Sequence, residues 1–222
     1  MNLVAPKAQR RRPRYIAVEG PIGAGKSSLA EILAAELGAR LVCENPGENP
    51  FLGSFYKDPR RFALSTQLFF LLQRYGQQSE FLQGGLFEQG GVVSDYFFAK
   101  DRLFATLNLS PEELALYDRV YQALRPRVTA PDLVIYLQGR LDTLLKRIKK
   151  RGRAYEKAIS SQYLQELSEA YSHYFYRYDE TPLLVVNTNE IDFVNTPEHF
   201  DQLVEQIRNA QKGTQYYVPL GS

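Results

Sequence analysis

The chain has 222 residues, 44% of them hydrophobic and 23% charged, a globular composition long enough for a buried core and fitting one domain over residues 1–222. A net charge of +2 gives no overall attraction to polymeric nucleic acid or to a membrane, although arginines cluster at Arg10, Arg11, Arg12 and Arg14 and basic residues again at 146–153. A single cysteine, Cys43, excludes an internal disulfide, the two histidines make no zinc set with it, and no apolar run suits a bilayer span or a secretion signal, so a cytoplasmic protein is expected.

In chain order, residues 1–13 read as a flexible basic tail, and YIAVE (15–19) as a strand running into a glycine-rich turn. A helix follows, stopped at Gly38, where a left-handed residue is wanted. RLVCE (40–44) is the next strand, with Cys43 expected in the core. Asp58-Pro59 opens a long helix, GVVSD (91–95) is a strand, and Ser110-Pro111 starts a helix with Glu113 placed for a capping box. DLVIYLQ (132–138) and LLVVNT (183–188) are strands, Thr196-Pro197 starts the last helix, and residues 213–222 read as an irregular tail. Near-continuous apolar strands alternating with helices predict a three-layer α/β fold: a five-stranded parallel sheet flanked by helices.

Gly20, Pro21, Ile22, Gly23, Ala24, Gly25, Lys26 and Ser27 match G-x-x-x-x-G-K-[ST] between a predicted strand and a predicted helix. In such a loop the backbone N–H groups surround phosphates, and the helix behind it adds the positive end of its dipole. The loop, with Ser28 following, is therefore the expected ATP site; Lys26 would reach the β- and γ-phosphates and Ser27 would ligate Mg²⁺. Magnesium also needs a carboxylate beyond the carboxyl ends of the strands. Asp132 opens its strand and lies at the wrong edge, whereas Glu44 and Asp95 close theirs at the right one. Two carboxylates there can divide the work, one near the metal and one near the acceptor hydroxyl; a cap or a surface charge is the plainer reading of either.

On the helix after Asp58-Pro59, Gln67 and Arg74 stand two turns apart on one face, with Phe70 and Leu71 between them. An amide and a guanidinium suit the edge of a base, although periodicity alone reads the stripe equally well as a solvated rim. In KRIKKRGRAYEK, Arg147 and Arg151 are spaced i, i+4, and Gly152 breaks the helix before Arg153. Such a segment suits a lid over a transferring phosphoryl group. A helix dipole accounts for one or two of these cations, less easily for Arg153 with Glu156 just beyond the break.

GPIGAGKSS, CENPGENPFLGSFY, DPRRFALSTQLFFLLQRY, VVSDYFFAKDRLFA and RIKKRGRAYEKAI together resemble the deoxyribonucleoside kinase family over nearly the whole chain, closest to its bacterial deoxyguanosine and deoxyadenosine kinase branch. The resemblance implies a P-loop kinase fold with an arginine-bearing lid, ATP and Mg²⁺ as cofactors, a deoxyribonucleoside substrate and a homodimer. It implies Glu44 as base toward the 5′-hydroxyl, Tyr56 and Glu156 at the sugar 3′-hydroxyl, and Gln67, Arg74 and Asp101 at the base. Asp95 then lies near magnesium, and Lys26, Arg147, Arg151 and Arg153 at the moving phosphoryl group.

Two departures stand out. The chain has no tryptophan, where many members carry one shortly after the Glu44 position, which leaves Glu48 as a minor rival. Tyr96 stands where many members have arginine, and Lys100, four residues on, is expected to replace part of that charge. The expected reaction is ATP-dependent phosphorylation of a deoxyribonucleoside, with purines favoured by branch resemblance. The alternatives are a broader or deoxycytidine-preferring kinase, a nucleoside monophosphate kinase, which would call for more arginines at the acceptor, and a non-catalytic nucleotide-binding subunit, which would not need Lys26, Ser27 and Glu44.

Overall fold

The computed structural model describes residues 15–83, 90–189 and 191–218; the expected N-terminal tail and the last four residues lie outside these. Strands β1 (Tyr15–Glu19), β2 (Arg40–Val42), β3 (Val92–Ser94), β4 (Leu133–Gln138) and β5 (Leu183–Asn187) form within the apolar runs that predict them. A sixth strand, β6 (Thr214–Tyr217), corrects both the five-strand expectation and the irregular reading of residues 214–217. It pairs in parallel with β5 at the sheet edge. An edge strand needs burial on one face only, so TQYY alternates instead of running apolar: Tyr217 packs on the core while Tyr216 is 69% exposed.

The strand order is β2-β3-β1-β4-β5-β6, all parallel. Val42 stands opposite Ser94, and Ser94 opposite Ala17. The chain therefore leaves β1, β2 and β3 at one edge, with Glu19, Glu44 and Asp95 near their exits. Asp132 sits at the other edge, where its Oδ2 accepts the Tyr15 N–H at 2.9 Å.

Helices α1 (Lys26–Leu37), α2 (Leu52–Phe55), α3 (Pro59–Gln83), α4 (Lys100–Asn108), α5 (Pro111–Leu124), α6 (Leu141–Arg151), α7 (Ser161–Tyr176) and α8 (Pro197–Arg208) flank the sheet. The Ser110–Glu113 capping box is formed in both directions. Thr196 departs from expectation: its side chain makes no cap bond, and Asp192 organises the turn instead by accepting the N–H groups of Val194 and Asn195. Cys43 is half-buried just past β2, not a core residue.

The main core runs between the sheet and its helices, with Tyr136 of β4 stacked on Phe175 of α7 at 4.3 Å. A second cluster joins Leu71 to Phe98, Ala105, Tyr117 and Tyr121, so Leu71 turns away from the Gln67–Arg74 face on which it was expected. A third, of Leu52, Phe55, Ala63 and Phe70, holds α2 against α3 and forms an apolar wall beside the carboxyl edge of the sheet. Among the described residues, no helix is long and apolar enough to cross a membrane.

Candidate active site

The loop from Gly20 to Ser27 curls between β1 and α1 under tight packing. Gly23 has φ +88°, and a Cβ there would sit 2.7 Å from the Leu144 carbonyl oxygen of α6, so no other residue fits. Gly25 is the N-cap of α1 and carries no side chain to satisfy the first-turn N–H groups, which leaves them for an anion. Lys26 folds back over the loop, its Nζ donating to the carbonyls of Gly20 (2.8 Å) and Pro21 (3.2 Å). Burial, followed by the nearby Lys100 charge, brings the Lys26 ammonium down to about 8.

Across from this loop stand the two carboxylates. Asp95 accepts the Ser27 hydroxyl at 2.5 Å through Oδ2 and the Glu44 N–H at 2.7 Å through Oδ1. Glu44 lies two residues past β2 and is the acid that faces the cavity; Glu48 instead accepts Asn45 and Gln73 amides at the surface. The Glu44 Oε1 pairs with Arg74 Nη2, and its Oε2 accepts from Lys100 Nζ at 2.9 Å. Burial opposes ionisation of Glu44, but Arg74 and Lys100 outweigh it and hold the carboxyl well below the usual carboxylate range.

Arg74 is anchored from behind, where its Nη1 pairs with the fully buried Asp101. Its guanidinium also lies over the Phe70 ring at 5.0 Å and the Tyr96 ring at 5.6 Å. Tyr96 is completely buried and Lys100 lines the cavity, so the lysine is the one that meets Glu44.

One cavity, with about 810 Å³ of empty space that includes open solvent, joins these groups. Lys26, Ser27, Glu44, Asp95, Gln67, Arg74 and Tyr56 line it, with Arg151, Arg153 and Glu156 on the far wall. There Gly152 ends α6 with φ +69°, and the turn at 154–158 carries Glu156 back toward the helix. Glu156 accepts Arg151 Nε at 3.1 Å and Nη2 at 2.5 Å, while Arg153 donates to the Tyr155 hydroxyl at 3.0 Å. Burial, then Tyr163 and Glu156 beside it, push the Tyr56 phenol well up, so it remains a neutral hydrogen-bonding group.

The structure does not bring every expected residue into this space. Arg147, placed with the lid arginines by its spacing, lies outside the cavity lining. One turn before Arg151, its guanidinium instead reaches Thr188 O (2.8 Å), Thr188 Oγ1 (3.0 Å) and Ala24 O (3.4 Å), tying α6 to the phosphate loop and the end of β5. Asp101 acts on the cavity only through Arg74.

Sequence reasoning missed Glu19, Tyr155 and Tyr163. Glu19 is a carboxylate at the end of an apolar strand, a signal in itself, since buried charges need partners. The two tyrosines have no comparable mark.

The arrangement offers an anion-binding loop with a lysine, a hydroxyl–carboxylate pair of hard oxygen donors and an ionised glutamate. It adds an apolar slot edged by hydrogen-bonding side chains, the combination of apolar lining and a few placed polar groups found in small-molecule sites. The Deoxynucleoside kinase family pattern matches residues 16–211. Among curated relatives, the chain is 34% identical to a deoxyguanosine kinase of Bacillus subtilis over 198 residues, covering 87% of this chain and 96% of that protein. It is 32% identical to a deoxyadenosine kinase of Lactobacillus acidophilus over 208 residues, covering 87% and 94%. Among solved structures it is similar to deoxyadenosine kinase from M. mycoides with bound dCTP, with a TM-score of 0.75 and 26% identity over 88% of this chain and 99% of that one. Fold, site chemistry and similarity along nearly the whole chain agree: the protein belongs to the deoxynucleoside kinase family.

Proposed function

We propose that this deoxyribonucleoside kinase, working as a single catalytic domain over its whole length, transfers the γ-phosphoryl group of ATP to the 5′-hydroxyl of a purine deoxyribonucleoside, with Mg²⁺. The observation that carries the reading is the meeting, in one cavity, of Lys26 and Ser27 of the phosphate loop with Glu44, Tyr56, Gln67, Arg74 and Glu156. Purine preference rests on similarity to relatives named for deoxyguanosine and deoxyadenosine.

The residues present fit both cofactors. The loop's glycines and the uncapped start of α1 suit a triphosphate. The Ser27 hydroxyl and Asp95 carboxylate, 2.5 Å apart, are hard oxygen donors of the kind that hold magnesium together with substrate phosphates. Bound there, magnesium would neutralise charge between the β- and γ-phosphates.

In this reading Tyr56 and Glu156 hold the sugar 3′-hydroxyl, and Gln67 and Arg74, the latter backed by Asp101, meet the base. Each Glu44 oxygen keeps a second lone-pair site, so the 5′-hydroxyl can donate to it without displacing Arg74 or Lys100. A carboxylate held so firmly ionised is a weak base, which suits a loose phosphoryl-transfer transition state: the hydroxyl proton moves late, as the new P–O bond raises its acidity. Glu44 mainly aims the nucleophile and then takes that proton. Lys26, Arg151 and Arg153 stabilise the charge on the transferring group. Arg147 contributes by fixing the loop, not by touching that group.

The dimer expected by resemblance belongs to the same reading; α3 and α5, which pack together, each expose a leucine, Leu72 (55%) and Leu116 (50%). The test is turnover of labelled ATP with each of the four deoxyribonucleosides. The expected result is 5′-monophosphate formation with kcat/KM highest for a purine. A higher value for a pyrimidine overturns the preference, and absence of product with all four overturns the activity.

A further inference from the structure

Charge is concentrated along and just behind the cavity wall. Glu19, Glu44, Asp95 and Asp101 face Lys26, Arg74 and Lys100, and nearly all are withdrawn from solvent. Two of the three cations have evident tasks, Lys26 on the phosphate loop and Arg74 beside Asp101. Lys100 and Glu19 do not.

Lys100 is 5% exposed and sits in the first turn of α4, with its Nζ 2.9 Å from Glu44 Oε2 and 4.0 Å from Glu19 Oε1. Its ammonium also lies over the Phe104 ring at 5.5 Å. Glu19 is fully buried and its own geometry is fixed three times over. Oε1 accepts the Gly20 N–H at 2.9 Å and the Tyr171 hydroxyl at 2.9 Å, and Oε2 accepts the Phe97 N–H at 3.2 Å. Gly20 opens the phosphate loop, Phe97 precedes α4, and Tyr171 belongs to α7. Glu19 is thus a fixed anion shared by the donor loop and the segment that carries Lys100.

We propose that Lys100, held between Glu19 and Glu44, is the positioning residue that registers the Glu44 carboxylate against the phosphate loop. The linkage runs from Gly20 through Glu19 and Lys100 to Glu44, so the group that aims the acceptor hydroxyl takes its position from the loop that holds the donor. Arg74 cannot supply this register alone: it reaches the other oxygen, Oε1, and its anchor is Asp101 on the acceptor side. Tyr96 does not supply the charge: it is a fully buried phenol whose ring lies against the Arg74 guanidinium at 5.6 Å and which does not line the cavity. Losing Lys100 would leave the Glu44 carboxylate tethered from one side only, and a displacement near 1 Å at a reacting centre costs roughly 10²-fold in rate.

The inference rests on the kinase reading above, and wild-type turnover of a deoxyribonucleoside separates the two: if the wild type makes no product, it is that reading that fails. With an active wild type, Lys100→Met is expected to lower kcat about 10²-fold, with KM for ATP and the calorimetric Kd of the nucleoside alone changed less than about threefold. Lys100→Arg, which keeps the charge, should recover at least about tenfold of that loss.

Glu19→Gln should lower kcat about tenfold, and the double variant Glu19→Gln/Lys100→Met should be no slower than Lys100→Met within about twofold, because Glu19 acts through Lys100. Unchanged kcat in Lys100→Met overturns the proposal. So do equal losses in the Met and Arg variants, a loss confined to nucleoside binding, or a double variant whose loss is the product of the single ones. Should Glu19→Gln not fold, the Met and Arg variants still decide the role of Lys100.

Discussion

Replacing Glu44 by glutamine keeps the shape of the side chain and removes its charge, which separates proton acceptance from packing. As acceptor of the hydroxyl proton, Glu44 is expected to contribute ~10² to 10⁴ in kcat. Nucleoside binding should survive, because Tyr56, Glu156, Gln67 and Arg74 remain in the cavity. The same change acts on stability, since the Glu44 side chain is only 12% exposed and is paired with two buried cations. Removing one partner from a buried pair costs ~3–5 kcal/mol. The low end applies here, because Arg74 keeps Asp101 and Lys100 stays within 4.0 Å of Glu19.

About 3 kcal/mol corresponds to a Tm lower by roughly 6–12 °C for a chain of this size. The Glu44 carboxyl is held below its unfolded value, so its contribution is present above the unfolded pKa and lost as pH falls through the folded one. The Tm gap between wild type and Glu44→Gln should therefore persist from pH 7 to about 5 and close only in stronger acid. Steady-state kinetics give the first number and calorimetric scans the second. A kcat within tenfold of wild type would remove Glu44 from the proton transfer, and equal Tm values at pH 7 would refute the buried charge cluster as described.

Lys26 carries a second pH prediction. Its ammonium lies near 8 in the free protein, and bound phosphates would raise it again, so ATP binding at pH 8.5 should take up protons while binding at pH 6 should not. Calorimetry in buffers of different ionisation enthalpy reads the uptake directly, and its absence at pH 8.5 would show that Lys26 does not reach the phosphates. Arg147→Ala should raise KM for ATP about tenfold, equivalent to ~1.4 kcal/mol, and leave KM for the nucleoside nearly unchanged, because Arg147 bonds Thr188 and Ala24 outside the acceptor side. A kcat loss with unchanged KM for ATP would instead make it a lid arginine after all.

Most of the sheet was legible because β1, β3, β4 and β5 are buried strands that write their burial as apolar runs, whereas β2, at the opposite edge from β6, exposes Arg40 and Leu41 and is carried by a shorter run. β6 was not, because an edge strand alternates and TQYY resembles a turn-rich tail. The donor half of the site was equally plain, since a phosphate loop must be local in sequence: Gly20 through Ser27 are contiguous. The acceptor half is assembled from β2, α2, α3 and the turn after α6, and spacing could suggest its members but not their partners.

Arg147 shows the limit. The i, i+4 rule puts it on one face with Arg151, but one turn of translation brings it to Thr188, a residue distant in sequence. Leu71 shows the same limit across a helix, where one step from Phe70 changes which cluster receives it. Glu19 is the converse case: an acid closing the apolar strand YIAVE must find partners when buried, but the sequence does not show that these are Gly20, Phe97 and Tyr171.

β2 and β3 are only three residues long, while β4 has six. Their early endings release Cys43 to Asn45 and Asp95 to Ala99 from the ladder, and these stretches bring Glu44 and Asp95 into the cavity and lead into Lys100. The donor side rests on β1, α1 and the long β4–β5 half of the sheet. The enzyme is thus a stiff jaw and a tunable one, joined across the cleft by the Ser27–Asp95 hydrogen bond and the Glu19–Lys100–Glu44 bridge. New acceptor preferences can arise by rewriting one face of α3 and its short neighbours, leaving the grip on the donor untouched.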